Sequence, residues 1–278
     1  MGFSRGIRRV GFLCCAALTA LQAAPRTPAK LSLKSASALV LDQVTGQALI
    51  EKQAGAVQPI ASLTKLMTAM VLLDARLDPQ ETLTITREDM DMLRHSRSRL
   101  PVGTRLPREQ ALLLALLASE NRAAHALGRT FPGGLTAFVQ AMNAKARELG
   151  LAETRFEDPS GLSAGNVASA HDLARILEAA YRYPEIRDFT TRSETTIQAG
   201  RRSIQFPNTN ALVRSPRWNI GLSKTGYIEE AGRCLVMQAM LANRPVLIIL
   251  LDSWGKYSRL GDANRIKSWL EGRLGPKG

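Results

Sequence analysis

The chain has 278 residues, 45% of them hydrophobic, and a formal charge of +13 at pH 7. That length gives room for one large or two modest domains, and the composition is ordinary for a globular protein, which excludes a low-complexity or fibrous chain. The basic balance suits nucleic acid, anionic lipid or an acidic polymer without choosing between them, and a surface rich in solvated arginine is the plain alternative.

The first stretch, MGFSRGIRRVGFLCCAALTALQAAP, opens on Arg5, Arg8 and Arg9, runs apolar from Val10 to Leu21 and ends on small residues. This is the order of a secretory signal peptide, read over residues 1–24, with the mature chain from 25 to 278. The apolar run is short for a membrane span. Cys14 and Cys15 lie deep inside it, which argues against a lipoprotein. Removal takes three arginines and no acid, lowering the charge from +13 to +10, and leaves Cys234 as the only thiol. An exported chain without an internal disulfide must be held by its core, which a chain of this size can supply. Export to the periplasm also removes it from nucleic acid, so no nucleic-acid partner is expected.

Ala38–Asp42 and Gln47–Lys52 predict a β-hairpin turning at Gly46. A buried helix starts at Ser62. Residues 80–108 are polar and arginine-rich, with Pro101 and Pro107, and read as irregular structure. Residues 109–118 form a second buried helix, and a third begins at Asn121. Leu135, Phe138, Val139, Met142 and Leu149 share one helical face, with Gly150 as the stop. Ser169 and Asp172 have capping-box spacing at the start of a helix that Pro184 terminates. Then GLSKTGYI, GRCLVMQAML and RPVLIILLDS read as three strands with loops short enough for antiparallel neighbours. A last amphipathic helix covers roughly 259–273. The expected fold is α/β, of the α+β kind: one antiparallel sheet built from both chain ends, flanked by helices, with an inserted helical lobe at about 80–185.

Ser62 and Lys65 carry the first chemical signal. A serine ahead of an apolar helix is usually a cap. Lys65 argues for more, because a capping box wants Glu or Gln at that place and a cation in the first turn faces the positive end of the helix dipole. Burial disfavours the ammonium further; a fall in pKa from about 10.4 to near 7 corresponds to roughly 4–5 kcal/mol. At i and i+3 the two side chains share a face, so a neutral Lys65 can take the Ser62 proton, and the dipole that opposes Lys⁺ favours the oxyanion. The pair describes a serine nucleophile with a lysine base. Ser119-Glu120-Asn121 follows a buried helix, and Lys224-Thr225-Gly226 lies on a predicted strand. Capping at Ser119 and Asn121 and a bulge at Gly226 are the plain alternatives, but the ordered set S-x-x-K, S-x-N, K-T-G is a rarer coincidence than any one of them. There is no G-x-S-x-G elbow, Ser223 stands where a P-loop needs glycine, and His95, His125 and His171 lack zinc-peptidase spacing. No metal or other cofactor is expected.

With these motifs the chain resembles the low-molecular-mass penicillin-binding proteins, serine-type D-alanyl-D-alanine peptidases. The likeness covers most of the mature chain, including PIASLTKLMTA, LLLALLASENRAA, FEDPSGLS, NTNALV and KTGYIEEAGRCLV. Its S-E-N motif is most similar to the periplasmic endopeptidase branch, the penicillin-binding protein seven type; the carboxypeptidases typically show S-G-N. The resemblance implies a β-lactamase/transpeptidase-like fold, with no C-terminal β-domain or amphipathic anchor after the last helix. It implies that Ser62 forms the acyl-enzyme, Lys65 is its base, Ser119 relays a proton to the leaving amine and Asn121 holds the substrate's backbone amide. Lys224 and Thr225, with Gly226 beside them, bind a carboxylate or amide beyond the scissile bond. The N–H groups of Ser62 and Tyr227 form the oxyanion hole, where losing one donor costs about 2.7–4 kcal/mol.

The implied substrate is the cross-linked peptide of peptidoglycan, with β-lactams as covalent inhibitors. The nearest rival is a D-alanyl-D-alanine carboxypeptidase with the same machinery. A β-lactamase is opposed by the lack of any E-x-x-x-N in the chain, and a non-catalytic wall-binding protein by the intact Ser62/Lys65 pair. Arg94, Arg97, Arg99, Arg105 and Arg108 suit either an anionic polymer or a solvated loop, and a basic surface allows peripheral contact with wall or membrane.

Overall fold

The computed structural model describes residues 1–2 and 31–274. The signal-peptide reading therefore lies, beyond its first two residues, outside the described residues. The chain divides after Lys30, and everything below concerns the unit that begins at Leu31.

β1 (Ser35–Asp42) and β2 (Ala48–Lys52) form the expected hairpin. The Asp42 carboxylate accepts the N–H groups of Val44 and Thr45, both at 3.0 Å, and Gly46 takes the left-handed φ of +70° that closes the turn. β3 (Gln58–Pro59) leads into a 3-10 turn, Ala61–Thr64, which continues as α1 (Lys65–Asp74). β4 (Thr82–Thr84) pairs with β5 (Arg105–Pro107) across the arginine-rich segment. Then come α2 (Arg108–Leu117), α3 (Asn121–Arg129) and α4 (Gly134–Glu148). β6 (Val167–Ala168) pairs back with β3. α5 (Ala170–Tyr181) is capped by the Ser169 hydroxyl, which accepts from the Asp172 N–H; α6 (Pro184–Thr191) follows. β7 (Glu194–Ala199) and β8 (Arg202–Pro207) form a hairpin. The chain closes with β9 (Asn219–Ile228), β10 (Gly232–Leu241), β11 (Arg244–Ser253) and α7 (Ser258–Leu274).

The main sheet has the order β2-β1-β11-β10-β9, antiparallel throughout. The two chain ends meet where β1 pairs with β11, from Ser35 opposite Ser253 to Asp42 opposite Val246. Its middle strands are covered on both faces, which is why β10 and β11 read as almost unbroken apolar runs. One face contributes Leu39, Val236, Ile249 and Leu251 to the core shared with α1, α2 and α5. The other packs Val40, Leu235, Ile248 and Leu250 on Ala263, Ile266 and Leu270 of α7. Ile266 is fully buried, so truncating it to alanine costs about 2–5 kcal/mol. β9 is the edge strand, and one side of it borders the cleft described next.

The structure adds to or departs from the sequence reading at four points. The buried helix expected from Ser62 starts at Lys65; Ser62 lies inside the 3-10 turn, and the plain alternative of a cap fails because no side-chain cap bond opens α1. Pro184 follows the end of α5 as expected, and it also starts α6 at the position where its missing N–H costs nothing. Two β-hairpins, β4/β5 and β7/β8, stand where irregular structure or nothing was expected. The bulge that was the plain alternative for Gly226 is absent, since Gly226 pairs in register with Cys234.

Candidate active site

The turn bearing Ser62 is clamped by two glycines from different parts of the chain. Gly161, at φ +81°, packs so closely that a Cβ would sit 1.9 Å from the Ala61 carbonyl oxygen. Gly226 on β9 approaches from the other side; a Cβ there would lie 2.9 Å from the Ile60 oxygen and 3.2 Å from the Ser62 nitrogen. Ala61 itself is held at φ +49°, a left-handed conformation that an alanine adopts only when its surroundings impose it. The turn thus presents a half-buried Ser62 beside the backbone of β9.

α1 is buried from Lys65 to Leu72, and Lys65 has no exposed surface. Its Nζ lies 2.9 Å from Ser62 Oγ, 2.8 Å from Asn121 Oδ1 and 2.5 Å from the Ser160 carbonyl oxygen. These three partners define what the amine can do. As an ammonium it donates to all three. As a neutral amine it keeps two N–H donors and one lone pair. The Ser160 carbonyl and Asn121 Oδ1 can only accept, so they take the two N–H groups and the lone pair is left facing the Ser62 hydroxyl, the one partner able to donate. Burial lowers the Lys65 pKa to about 7, while the charges of Asp158 and then Glu120 pull it back upward. Both forms are populated near neutral pH.

Ser160 is aimed by an aspartate turn. The Asp158 carboxylate accepts from the N–H groups of Ser160 (2.6 Å), Gly161 (2.8 Å) and Ser163 (2.8 Å). Asn166 braces the turn, donating to the Asp158 oxygen at 3.0 Å and to Thr64 Oγ1 at 3.2 Å.

The opposite wall comes from the junction of α2 and α3. Ser119 lies between them at φ +58°, an unusual conformation for serine. Glu120 caps α3: Oε1 accepts from the Arg122 N–H at 3.2 Å and from Ser98 Oγ at 2.6 Å. Asn121 is the first residue of α3, so its side chain leaves the helix start toward Lys65, and its Nδ2 donates to Ser96 Oγ at 3.0 Å.

From β9, Lys224 Nζ donates to Ser119 Oγ at 2.9 Å and to the Thr225 carbonyl at 3.0 Å. It is 1% exposed, and burial, reinforced by the charges of Lys65 and Arg259, holds its pKa well below the ordinary lysine value. Thr225 Oγ1 and Thr209 Oγ1 are 2.7 Å apart. Arg259 reaches from α7 to the carbonyls of Gly226 (2.8 Å) and Cys234 (3.2 Å). Burial lowers its pKa to about 10, so it remains a cation at neutral pH.

Seven of the eight residues singled out in the sequence are thus brought together around the Ser62 turn. Ser62, Lys65 and Asn121 form one connected group, and Ser119, Lys224 and Thr225 a second. Gly226 packs on the Ser62 turn. The Tyr227 side chain points away, 55% exposed and stacked under Arg233, whose guanidinium carbon is 4.4 Å from the ring centroid. The sequence reading missed Ser96, Asp158, Ser160, Thr209 and Arg259. Only the Asp-Pro-Ser-Gly run carried a signal, as a turn former. His125 pairs with Asp89 and His171 with Glu51, apart from this cleft. Of the five arginines, Arg94 forms a fork with Glu230 (2.8 and 2.9 Å), Arg99 donates to the Gln205 carbonyl and Arg108 is buried against Glu81. Arg97 and Arg105 are exposed.

A five-stranded antiparallel sheet, a helical layer and two buried lysines, each 2.9 Å from a serine hydroxyl, mark a serine peptidase of the β-lactamase/transpeptidase-like class. The chain belongs to the peptidase S11 family, described as D-alanyl-D-alanine carboxypeptidase, whose model matches residues 22–254. It is similar to the D-alanyl-D-alanine endopeptidase of Pseudomonas aeruginosa, at 46% identity over 94% of this chain and 86% of that one. The enzyme of the same description from Escherichia coli is 40% identical over 95% of this chain and 88% of its own. Among solved structures it resembles the Streptomyces K15 DD-transpeptidase, with a TM-score of 0.79 and 27% identity over 86% of this chain and 97% of that chain.

Proposed function

We propose that the protein is a serine D,D-endopeptidase that hydrolyses D-alanyl–diaminopimelyl cross-links in peptidoglycan through an acyl-enzyme. The observation that carries this reading is Lys65: a fully buried amine 2.9 Å from the Ser62 hydroxyl, with a pKa of about 7 and its two N–H groups committed to acceptors. Ser62 Oγ attacks the carbonyl carbon of the D-alanine, and its proton passes to Lys65. The carbonyl oxygen becomes an oxyanion beside the Ser62 and Tyr227 N–H groups. Collapse expels the amine of the diaminopimelyl side chain, which takes a proton through Ser119. Water then repeats the sequence on the ester, releasing D-alanine's carboxylate and free Ser62. Asn121 holds the substrate's amide, and Lys224 with Thr225 holds a carboxylate or amide beyond the cleaved bond. The same attack on a β-lactam opens the ring and leaves Ser62 acylated.

The choice of the cross-link over a terminal D-alanine is supported by the two endopeptidase relatives at 46% and 40% identity and by Glu120 between Ser119 and Asn121. Residues 1–24 serve as an export signal and residues 25–278 as the peptidase domain acting in the periplasm, with the helical lobe at about 80–185. Digestion of purified cross-linked muropeptide dimers beside free pentapeptide tests the reading. Conversion of dimers to monomers should dominate. Rapid trimming of pentapeptide with dimers left intact would make the protein a carboxypeptidase.

A further inference from the structure

We propose that Tyr227, Trp254 and Tyr257 form an aromatic platform that grips the glycan strand of the polymer while the cleft works on its peptide; this inference rests on the function proposed above. Among the described residues these are the aromatic side chains that stand out in solvent, at 55%, 87% and 67% exposure. They share one end of the sheet. Tyr227 on β9 lies opposite Arg233 on β10, which lies opposite Ser253 on β11, so Tyr227 and Ser253 are about 10 Å apart, two strand spacings. Trp254 is the next residue. The turn after it is fastened by the Ser258 hydroxyl on the Trp254 carbonyl. Arg259, two residues beyond Tyr257, ties that turn to β9 through the Gly226 carbonyl at 2.8 Å. Gly226 in turn packs on the Ser62 nitrogen. The platform is therefore continuous with the wall of the cleft.

Its chemistry fits a saccharide. A pyranose ring offers a face of C–H bonds that packs flat on an aromatic ring, while its hydroxyls stay hydrated at the edge. Exposed aromatic rings with polar tips suit that partition, Trp254 foremost and the two tyrosines by the face opposite their neighbouring cation. The rim is cationic: the Arg233 guanidinium covers Tyr227, and the Lys256 ammonium lies 5.4 Å from the Tyr257 ring centroid. Those cations complement the carboxylates of the attached peptides, as does the +10 charge left after removal of the export signal. A lipid surface fits less well, because seating Tyr227 among headgroups would press the mouth of the cleft against the bilayer.

The test uses the full chain and a Trp254→Ala/Tyr257→Ala variant, neither residue belonging to the serine–lysine machinery. Binding is measured to purified sacculi, to a soluble oligomer of β-linked N-acetylglucosamine and to phosphatidylglycerol vesicles. The variant should bind sacculi and oligomer about tenfold more weakly, yet react with labelled penicillin and cleave soluble muropeptide dimers at the normal rate. Unchanged glycan binding overturns the proposal, and so does a loss seen on vesicles alone, which would make the patch a membrane contact. If dimers are never cleaved while the variant still loses the oligomer, the endopeptidase reading falls and the platform stands.

Discussion

Lys65 and Lys224 occupy almost the same surroundings. Each is buried to 1% exposure or less, and each has Nζ 2.9 Å from a serine hydroxyl, Ser62 in one case and Ser119 in the other. Desolvation is the largest influence on both. They differ in the sign of their neighbours. Asp158 and Glu120 pull Lys65 back to about 7, whereas Lys224 feels only further cations, Lys65 and Arg259. The difference separates two tasks. An amine poised near 7 can accept and return a proton at physiological pH. An amine starved of negative charge gains most when a substrate carboxylate arrives, since that anion restores the stability of its ammonium form.

The largest effect expected is at the first pair. Ser62→Ala should abolish labelling by a fluorescent penicillin, a loss of about 10⁴-fold or more. Equal labelling would remove Ser62 as the nucleophile. Lys65→Arg keeps the charge and loses the lone pair, because guanidinium does not deprotonate in this range. Acylation should fall by about 10²-fold or more in a variant whose circular dichroism is native. In the wild type the rate should drop about tenfold per pH unit below 7 and level off above it, since only neutral Lys65 accepts the proton. Stability has the same sign. The unfolded chain holds the Lys65 proton up to an ordinary lysine pKa while the folded chain releases it near 7, so folding becomes more favourable as pH rises between those values. A rate independent of pH across 5 to 8 would break the assignment of Lys65 as base.

The second pair is probed with penicillin and its methyl ester. Wild-type protein should acylate faster with the free carboxylate by about 10- to 100-fold, the range of a charge-assisted hydrogen bond. Lys224→Gln should treat acid and ester alike. If the variant still prefers the acid, the carboxylate is held elsewhere and the contrast between the two lysines loses its functional meaning.

How much of this was legible in the sequence follows from the range of each interaction. Ser62 and Lys65 are three residues apart, so their meeting is a property of one helical turn and could be read directly. β10 and β11 were legible because strands buried on both faces must be apolar almost throughout, and β9 because a short loop joins it to β10. The hairpin β7/β8 was not, because Ile197 and Phe206 are its buried side chains and its turn at Gly200-Arg201 carries no Asn-Gly or Asp-Gly signal. Ser160 acts through its backbone carbonyl, which any residue supplies, so no side-chain motif could reveal it. Ser96, Thr209 and Arg259 lie 25, 16 and 33 residues from the groups they touch, and only the tertiary fold brings them there. The 3-10 turn at Ser62 was not legible because a serine capping an apolar helix and a serine inside such a turn leave the same pattern.

The smallest effect expected is the most informative about why the two lysines differ. Glu120→Gln removes one of the two carboxylates that hold Lys65 up and leaves the surrounding structure in place, since Gln Oε1 can still accept from the Arg122 N–H and from Ser98 Oγ. Without that charge the ammonium form of Lys65 is less favoured, so its pKa falls. The acid limb of the acylation profile should then move to lower pH. Near pH 6 the variant should acylate about two- to threefold faster than wild type, the size of one charge acting across the partly hydrated wall of the cleft. Above pH 8, where Lys65 is already neutral in both proteins, the rates should coincide. A limb that stays in place, or moves to higher pH, would mean that Glu120 does not act on Lys65 through its charge and that Asp158 alone separates it from Lys224. The same variant shows whether Glu120 governs the choice between cross-link and terminal D-alanine: that choice should be read from product ratios at pH 8, where the proton on Lys65 no longer differs between the two proteins.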